Sequence, residues 1–449
     1  MSILRLRTGR PRQLHRHRAR PALAVVAAAG CALAACSSSS SSSPTTSGVS
    51  SSPTDTSYRA PIPASAFSSR TGLTGTQVRI GNVSTETAGL FTGAVVGTEA
   101  YADYVNSQGG VDGRRIVVDG LDDQFTGALN KQQTQHAVDS DFALVGSFSL
   151  EDSYGQTVVA QNPQVPDVST LLDPGLIRLA NTFNANPSGL GWSTGPIDYF
   201  KKLYPTQALH TAQLTSTLPS AIASWGLEKP AMERAGYRFV YYSEVPVTQT
   251  DFTQNVVDMR NSGVQMVFID QLPENYAGAL FKAMTQQNLH PILVIGTAAY
   301  SHQLVAASGG PAAVDGSNLE MPNALFLGED ASQIPAVATF LTWVQKASPG
   351  FSPDYYTLAA WANTQLFVQA LRAAGKDPSQ GSVLQQLRTI TSFNASNLIA
   401  TGNPAQRRAA TCYLLAKVVN GQFVRSDDPP VSGPTAGYRC DGGFLAAPT

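Results

Sequence analysis

One run of residues in this 449-residue chain has the spacing of a catalytic serine. Gly191-Trp192-Ser193-Thr194-Gly195 matches Gly-x-Ser-x-Gly, a turn that presents a nucleophilic serine between a strand and a helix. Such a turn needs a strand that leads directly into the serine. Here Pro187-Ser188-Gly189 comes just before the run, and Pro196 begins the next predicted helix. We therefore expect a connecting loop, and a serine hydrolase at Ser193 stays as an alternative function.

Other kinds of chemistry have weaker support in the sequence. Residues 1–36 contain seven arginines and no acidic residue, which leaves 23 basic and 31 acidic residues in the remainder. A mildly acidic body lacks the basic surface that binds nucleic acid. The sequence contains no Walker A motif or dinucleotide fingerprint. Metal-ligand spacing is also absent among the four histidines beyond residue 36, which are His136, His210, His290 and His302. We expect a protein that is not an enzyme, with no cofactor and no bound metal.

Small hydroxyl residues follow three predicted strands. They are Ser84-Thr85 after the first strand, Ser147 and Ser149 after the third, and Ser169-Thr170 after the fourth. Serine and threonine favour helix N-caps, so capping is one explanation for each of them. Hydroxyl groups and free amides at helix N-termini also bind anions, so ligand binding is the other explanation.

The elements that position these residues alternate along the chain. Strands are predicted at 77–83, 115–118 and 142–146, with helices between them, and a second series of helices and strands follows from 196 to 295. Strands that alternate with helices of 10–15 residues predict an α/β fold, in which helices cover both faces of parallel sheets. Ligands of such sheets bind at the carboxyl ends of the strands.

The N-terminus has the features of an export signal. An arginine-rich segment precedes 14 apolar residues, 22–35, which are too few to span a bilayer. The run ends in Leu33-Ala34-Ala35-Cys36, which resembles the bacterial lipobox, and this resemblance implies cleavage before Cys36 and lipid attachment to its sulfur. Ser/Thr/Pro-rich residues then form a flexible tether up to about residue 75. An ordinary secretory signal is the alternative.

Two cysteines remain after Cys31 and Cys36, namely Cys412 and Cys440. Outside the cytoplasm such a pair forms a disulfide, which would tie down the Pro/Gly-rich tail. Two free thiols are the alternative.

Four stretches, in order, resemble the branched-chain amino acid binding proteins, which have the type I periplasmic binding protein fold. The strongest is YADYVNSQGGVDGRRIVVDGLDDQ at 101–124. The others are FALVGSFS with VPDVS, DFTQNVVDMRNSGVQMVFID, and PDYYTLAAWANTQLFVQALRAAGKD. Together they span about residues 76–425.

The resemblance implies two lobes joined by three crossovers, which we place near Pro187, Gly296 and Pro404. After the signal peptide, 1–36, and the tether, 37–75, lobe 1 would comprise 76–187 and 298–404. Lobe 2 would comprise 188–297 and 405–449, including the disulfide-tied tail. Ligand binds between the lobes of this family, and a membrane permease recognises the closed state.

Ligand residues carried over from the family match this sequence in part. Ser147, Ser149, Ser169 and Thr170 are the available hydroxyls, while the family's hydroxyl and threonine positions fall near Leu150 and Asp173. Glu274 aligns with the acid that binds the ligand's ammonium group, and Tyr300 would supply an aromatic wall. A ligand other than a plain α-amino acid fits these departures equally well.

The sequence as a whole predicts a solute-binding protein, anchored by lipid to the outer face of the bacterial cytoplasmic membrane. It would capture a small polar or amphipathic molecule, such as an amino acid or amide, and deliver it to an ABC permease. An extracellular sensor subunit of the same fold is the alternative within this family.

Overall fold

The computed structural model describes residues 57–188, 190–246, 248–269, 272–328, 330–427 and 437–446. The predicted signal peptide, the lipid-attachment site at Cys36 and the tether up to residue 56 lie outside the described residues. Residues 428–436 of the predicted tail also lie outside them.

The first sheet consists of five parallel strands built from short β-branched and apolar segments. Their order across the sheet is β2-β1-β3-β4-β5. The strands are β1 (Gln77–Ser84), β2 (Arg115–Asp122), β3 (Ala143–Val145), β4 (Asp167–Val168) and β5 (Thr182–Phe183). Because all five run in one direction, the loops after β1, β3 and β4 meet at the same edge, as the sequence predicts.

The second sheet contains seven strands, in the order β13-β12-β11-β10-β9-β7-β8. The strand β6 (Gly191–Ser193) precedes these strands in the chain and lies outside this sheet. The seven strands of the sheet are β7 (Thr211–Ser216), β8 (Phe239–Val245), β9 (Met266–Ile269), β10 (Ile292–Ile295), β11 (Asn318–Met321), β12 (Leu414–Val419) and β13 (Gln422–Arg425). β7 to β11 are parallel, and β12 and β13 form an antiparallel hairpin at the edge. Asn420 and Gly421 have the positive φ angles that this two-residue turn requires.

One predicted boundary differs from the structure. β11 belongs to the segment 298–404, which the sequence assigns to lobe 1, yet it pairs with β10 and β12 in the second sheet. The chain therefore leaves the second sheet after Met321 instead of near Gly296.

Helices cover both sheets. They are α1 (Thr92–Ser107), α2 (Gly127–Ser140), α3 (Asp152–Gln161), α4 (Pro174–Ile177), α5 (Gly195–Leu203), α6 (Pro219–Arg234), α7 (Thr253–Asn261), α8 (Glu274–Gln286), α9 (His302–Ala307), α10 (Asp330–Gln333), α11 (Pro335–Ala347), α12 (Tyr355–Ala373) and α13 (Gln380–Leu387). Within the described residues, none of these helices combines the length and the apolar character needed to cross a membrane.

The longest of them, α12, packs closely on α1 beside the first sheet. A Cβ atom at Gly97 would lie 2.1 Å from the carbonyl oxygen of Thr357, so glycine permits this approach. The Asp354 side chain caps α12 by accepting from the Thr357 backbone N–H at 2.8 Å.

The C-terminal segment pairs with β6, which precedes the strands of the second sheet in sequence. β14 (Phe444–Ala446) pairs antiparallel with β6, and a disulfide joins Cys412 to Cys440, as predicted. The expectation of a connecting loop at the Gly-x-Ser-x-Gly run is wrong: Ser193 ends a short strand, and α5 begins two residues later. The strand depends on pairing with β14, which lies far away in sequence, and the local residue pattern does not indicate such pairing.

Candidate functional site

A cavity of about 280 Å³ lies between the two sheets. Loops that follow the strands of the first sheet contribute Phe148, Leu150, Thr170 and Leu172, and the start of α12 contributes Tyr355 and Tyr356. The second-sheet side contributes Ser220, Ala221, Ser224, Phe268, Leu272, Pro273, Thr297 and Ala298. The volume is at the small end of the range of about 300–1,000 Å³ that is usual for ligand pockets.

The three passages of the chain between the sheets also border this cavity. Pro187 precedes β6, Pro322 follows β11, and Ala409 precedes β12, and each of the three lines the cavity. A ligand bound here would contact both lobes and the segments that connect them.

The chemistry of the lining is apolar with scattered hydroxyl groups. Among the described residues that line it, Glu320 is the only acid, and none is a lysine, arginine or histidine. Hydroxyl groups come from serines and threonines, namely Thr170, Ser188, Ser193, Ser220, Ser224 and Thr297, and from three tyrosines, Tyr355, Tyr356 and Tyr413. Such a lining suits an apolar ligand body with few polar groups, since it offers no cation to pair with an anionic ligand.

Aromatic rings form one wall of the cavity. The ring of Tyr356 lies 4.5 Å from that of Phe148 and 4.6 Å from that of Phe91, measured between ring centroids. Burial raises the pKa of the Tyr355 phenol to about 12, so this hydroxyl is neutral and can donate a hydrogen bond at physiological pH. The packed wall fixes ring orientation, which makes the shape of the site largely preformed.

The two lobes touch at the rim of the cavity. Ser220, near the start of α6, donates its hydroxyl to the carbonyl oxygen of Leu150 at 3.2 Å. Leu150 belongs to the loop after β3, so this bond joins a second-sheet helix to a first-sheet loop. Both residues line the cavity, and the described conformation is therefore one in which the lobes are in contact.

Of the four hydroxyl residues predicted to bind ligand, Thr170 lies in the cavity lining. Its Oγ1 accepts from Asn363 Nδ2 on α12 at 3.1 Å, which fixes the side chain. The Ser147 hydroxyl accepts from the Val83 backbone N–H at 3.0 Å. Ser149 donates to Asp123 and accepts from the Glu151 backbone N–H. Ser147, Ser149 and Ser169 instead border a smaller void beneath the loops of the first sheet.

Two further predicted ligand residues have structural contacts in place of a cavity position. Asp173 is the N-cap of α4, where its Oδ1 accepts from the Leu176 backbone N–H at 3.0 Å. Tyr300 is fully buried between Phe326 and Phe423, and its hydroxyl accepts from the Leu327 backbone N–H. Neither side chain lines the cavity, so the aromatic wall expected from Tyr300 comes from Tyr355 and Tyr356 instead.

Glu274, the predicted ammonium partner, is the first residue of α8 and follows Pro273 of the lining. Its side chain is buried, and its Oε2 has no hydrogen-bond partner within the described residues. Burial, together with the nearby carboxylate of Asp354, raises the pKa of Glu274 to about 7. Since Asp354 caps α12 beside the first sheet, the charge that acts on Glu274 comes from the other lobe.

Ser193 lines the cavity, but no catalytic base accompanies it among the described lining residues. The strand and helix expected of a nucleophile turn are present on either side of it. A catalytic serine also needs a base within hydrogen-bond reach, and the described lining offers no histidine or lysine.

Several lining residues were not predicted from the sequence. Trp192, Tyr355 and Tyr356 add aromatic rings to the lining, and Leu150 occupies the position at which the family was expected to supply a hydroxyl. One signal could have identified the tyrosines: they begin a helix directly after its capping residue, Asp354, and helix N-termini collect at the ligand edge of such sheets.

Comparisons with known proteins agree with this geometry. Residues 77–422 match the family model described as periplasmic binding protein. A relative called Leu/Ile/Val-binding protein homolog 1, from Brucella suis biovar 1, is 26% identical over 301 residues, which cover 63% of this chain and 74% of the relative.

Two solved structures share the fold at low sequence identity. A branched-chain amino acid ABC transporter from Thermus thermophilus with bound valine aligns with a TM-score of 0.67 and 16% identity, covering 79% of this chain and 96% of that one. A fatty acid ABC transporter substrate-binding protein from Thermomonospora curvata aligns with a TM-score of 0.66 and 15% identity, covering 84% and 95%.

Proposed function

Because this chain belongs to the periplasmic binding protein family, of the branched-chain amino acid ABC substrate-binding type, we propose that it captures a small amphipathic molecule for an ABC importer. The observation that carries the proposal is the cavity between the lobes, lined mainly by apolar and hydroxyl-bearing side chains. Its position at the strand ends and beside the chain passages is where a ligand would couple to movement of the lobes.

The lining favours a particular ligand chemistry. An α-amino acid would bring a carboxylate and an ammonium group, and each needs a charged or multiply hydrogen-bonded partner. Ser147, Ser149 and Asp173 are engaged in the protein's own hydrogen bonds, and none of the described lining residues is basic. An apolar body with a neutral hydroxyl, carbonyl or amide group suits the tyrosine and serine hydroxyls better. Glu274 stays as the proposed partner for a ligand that carries an amine.

Lobe closure would provide the signal to the permease. A ligand that contacts Tyr356 on one lobe and Ala221 on the other stabilises the closed arrangement by its difference in affinity for the two states. The bond from Ser220 to Leu150 adds to the closed state without ligand. The permease would then bind the surface that only the closed arrangement presents.

Lipid anchoring at Cys36 would hold the protein at the outer face of the cytoplasmic membrane, with the tether allowing it to reach the permease. Labelling cells with a radioactive fatty acid should mark the wild-type protein, and Cys36→Ala should lose both the label and membrane retention. An unlabelled wild-type protein would overturn the anchor.

The capture proposal is tested by thermal shift of the purified protein against a library of amino acids, amides, alcohols and aromatic or aliphatic acids. A ligand at about 100 times its dissociation constant should stabilise the protein by about 2.7 kcal/mol. Neutral amphipathic compounds should give the largest shifts. If no compound in the library shifts the melting temperature, the capture proposal is contradicted. If only amino acids shift it, and Glu274→Gln weakens their affinity tenfold or more, the proposed ligand class alone is contradicted.

Transport and sensing make different predictions about partners. A permease and an ATPase encoded beside this chain, and loss of ligand uptake when its gene is deleted, are expected for an importer component. Uptake that is unchanged in the deletion strain would favour the sensor instead.

A further inference from the structure

A second, smaller void of about 30 Å³ lies under the ligand-side loops of the first sheet. It is bordered by the loops after β3 and β4 and by α2 and α3. Its polar border includes Asn130, Ser149, Asp152, Asp167, Ser169 and Thr170. The void has room for about one water molecule or one ion.

Beside the Ser169 hydroxyl oxygen, three acceptor oxygen atoms of residues that border this void have no hydrogen-bond partner within the described residues. They are the Oδ1 atoms of Asn130, Asp152 and Asp167, on side chains that are 2%, 8% and 3% exposed. Buried acceptors without a partner are rare in folded proteins, because each has lost its hydrogen bonds to water without a replacement. Three such acceptors at one void indicate that a water molecule or an ion binds there.

In Asn130 and Asp152, the other polar atom of the side chain makes hydrogen bonds, which restrains the orientation of the free oxygen. Asn130 donates its Nδ2 to Asp123 Oδ2 at 3.0 Å, so its Oδ1 faces away from that carboxylate. Asp152 Oδ2 accepts from the backbone N–H groups of Leu172 and Asp173 at 2.7 and 3.0 Å, which leaves Oδ1 free.

A neighbouring carboxylate shows what full satisfaction looks like in this part of the protein. Asp123 is fully buried, and its oxygens accept from Thr85, Asn130, Ser149 and the Phe125 backbone N–H. Asp152 and Asp167 have no comparable set of donors, although they are buried almost as deeply.

Among the described residues, no basic side chain lies at the void beside these two acids. None of the described lining residues is lysine, arginine or histidine. Two buried carboxyl groups with free oxygens at one void, and no basic residue in its described lining, favour a bound cation.

We propose that this void is a cation site of the calcium type, in which Asp152, Asp167 and Asn130 bind the ion through their free oxygens. A divalent ion neutralises two carboxylates, and Ca²⁺ prefers carboxylate, amide and hydroxyl oxygens. Zinc and copper prefer nitrogen and sulfur ligands, which the described lining lacks. Mg²⁺ keeps most of its water ligands, for which this void is too small.

The ion would stabilise the elements of the first lobe that carry residues of the ligand cavity. It would connect the start of α3, which follows the loop that bears Phe148 and Leu150, to β4, which precedes the loop that bears Thr170 and Leu172. Thr170 borders both the void and the ligand cavity. The inference concerns a site separate from the proposed ligand cavity and can fail or succeed independently of it.

The test is isothermal titration of the EDTA-treated, dialysed protein with CaCl₂, paired with thermal unfolding. The wild-type protein should bind one Ca²⁺ per chain with a rise in melting temperature, and Mg²⁺ should bind at least tenfold more weakly. Asp167→Asn should weaken Ca²⁺ binding at least tenfold. Asp152→Asn is the second variant, since its amide oxygen can still accept from Leu172 and Asp173.

Asp141→Asn is the matched control, because Asp141 is also a buried carboxylate of the first lobe but pairs with Arg79 at 3.3 Å, outside the void. It should lower stability and leave Ca²⁺ affinity within twofold of wild type. Wild-type protein that binds no Ca²⁺ would show that the void holds only water and protons, and would overturn the proposal. Unchanged Ca²⁺ affinity in both void variants would overturn it as well.

Discussion

Replacing Glu274 with Gln should remove part of the stability that the protein loses as the pH rises from about 4.5 to 8. The Glu274 carboxyl is buried at the start of α8, and the charge of Asp354, the capping residue of α12, acts on it. In the folded state it therefore holds its proton more tightly than in the unfolded chain. Glutamine has nearly the same shape and has no proton to lose.

The magnitude follows from the shift in pKa. Burial and Asp354 raise the Glu274 pKa from 4.5 to about 7. A raised pKa contributes stability that is fully present below the unfolded value and is lost as pH rises through the folded value. The wild-type protein should thus lose about 3 kcal/mol from this group between pH 4.5 and pH 8, at about 1.4 kcal/mol per pKa unit. Glu274→Gln should not lose it.

The assay is urea unfolding of both proteins across this pH range. The buried acids Asp152 and Asp167 contribute the same slope to each, so the difference between the two curves isolates Glu274. That difference should grow by about 3 kcal/mol in favour of the glutamine variant. Glu233→Gln, which changes an exposed surface carboxylate, should keep a nearly constant difference from wild type. Parallel curves for wild type and Glu274→Gln would refute the assignment.

Two further predictions concern the scaffold. Replacing Cys412 and Cys440 together by serine opens a cross-link between positions 28 residues apart and should cost about 3–4 kcal/mol in thermal unfolding, while an unchanged melting temperature would contradict this. Gly97→Ala should lower the free energy of unfolding by several kcal/mol, because its Cβ would lie 2.1 Å from Thr357 O. Gly226→Ala, in open space on α6, should raise it by about 0.5–1 kcal/mol. Equal effects of the two variants in calorimetry would refute the close packing of α1 on α12.

Much of the fold could be predicted because local pattern determines it. The segment from α1 to β2 is an example: the helix ends at Ser107, and Gly109, Gly110 and Gly113 adopt the positive φ angles that a double-glycine stop and a tight turn require. The pairing of β6 with β14 and the place of β11 in the second sheet depend on residues distant in sequence, which periodicity cannot reveal.

The candidate site was harder to predict for the same reason. Hydroxyl residues after strands do collect at one edge, as Ser149 and Thr170 show, but their depth below the surface decides their role. Thr170 reaches the cavity, whereas Ser149 binds Asp123 beneath it. Tyr300 follows β10 as expected, yet its ring turns into the core between Phe326 and Phe423.

The most direct test of the central claim is native mass spectrometry of a library compound bound to the wild type and to two tryptophan variants. Ala221→Trp places an indole in the cavity, and Ala338→Trp places one on an exposed face of α11, outside it. The wild type and Ala338→Trp should each carry one ligand per chain, and Ala221→Trp should carry none while remaining folded. Equal ligand occupancy in a folded Ala221→Trp would contradict binding between the lobes.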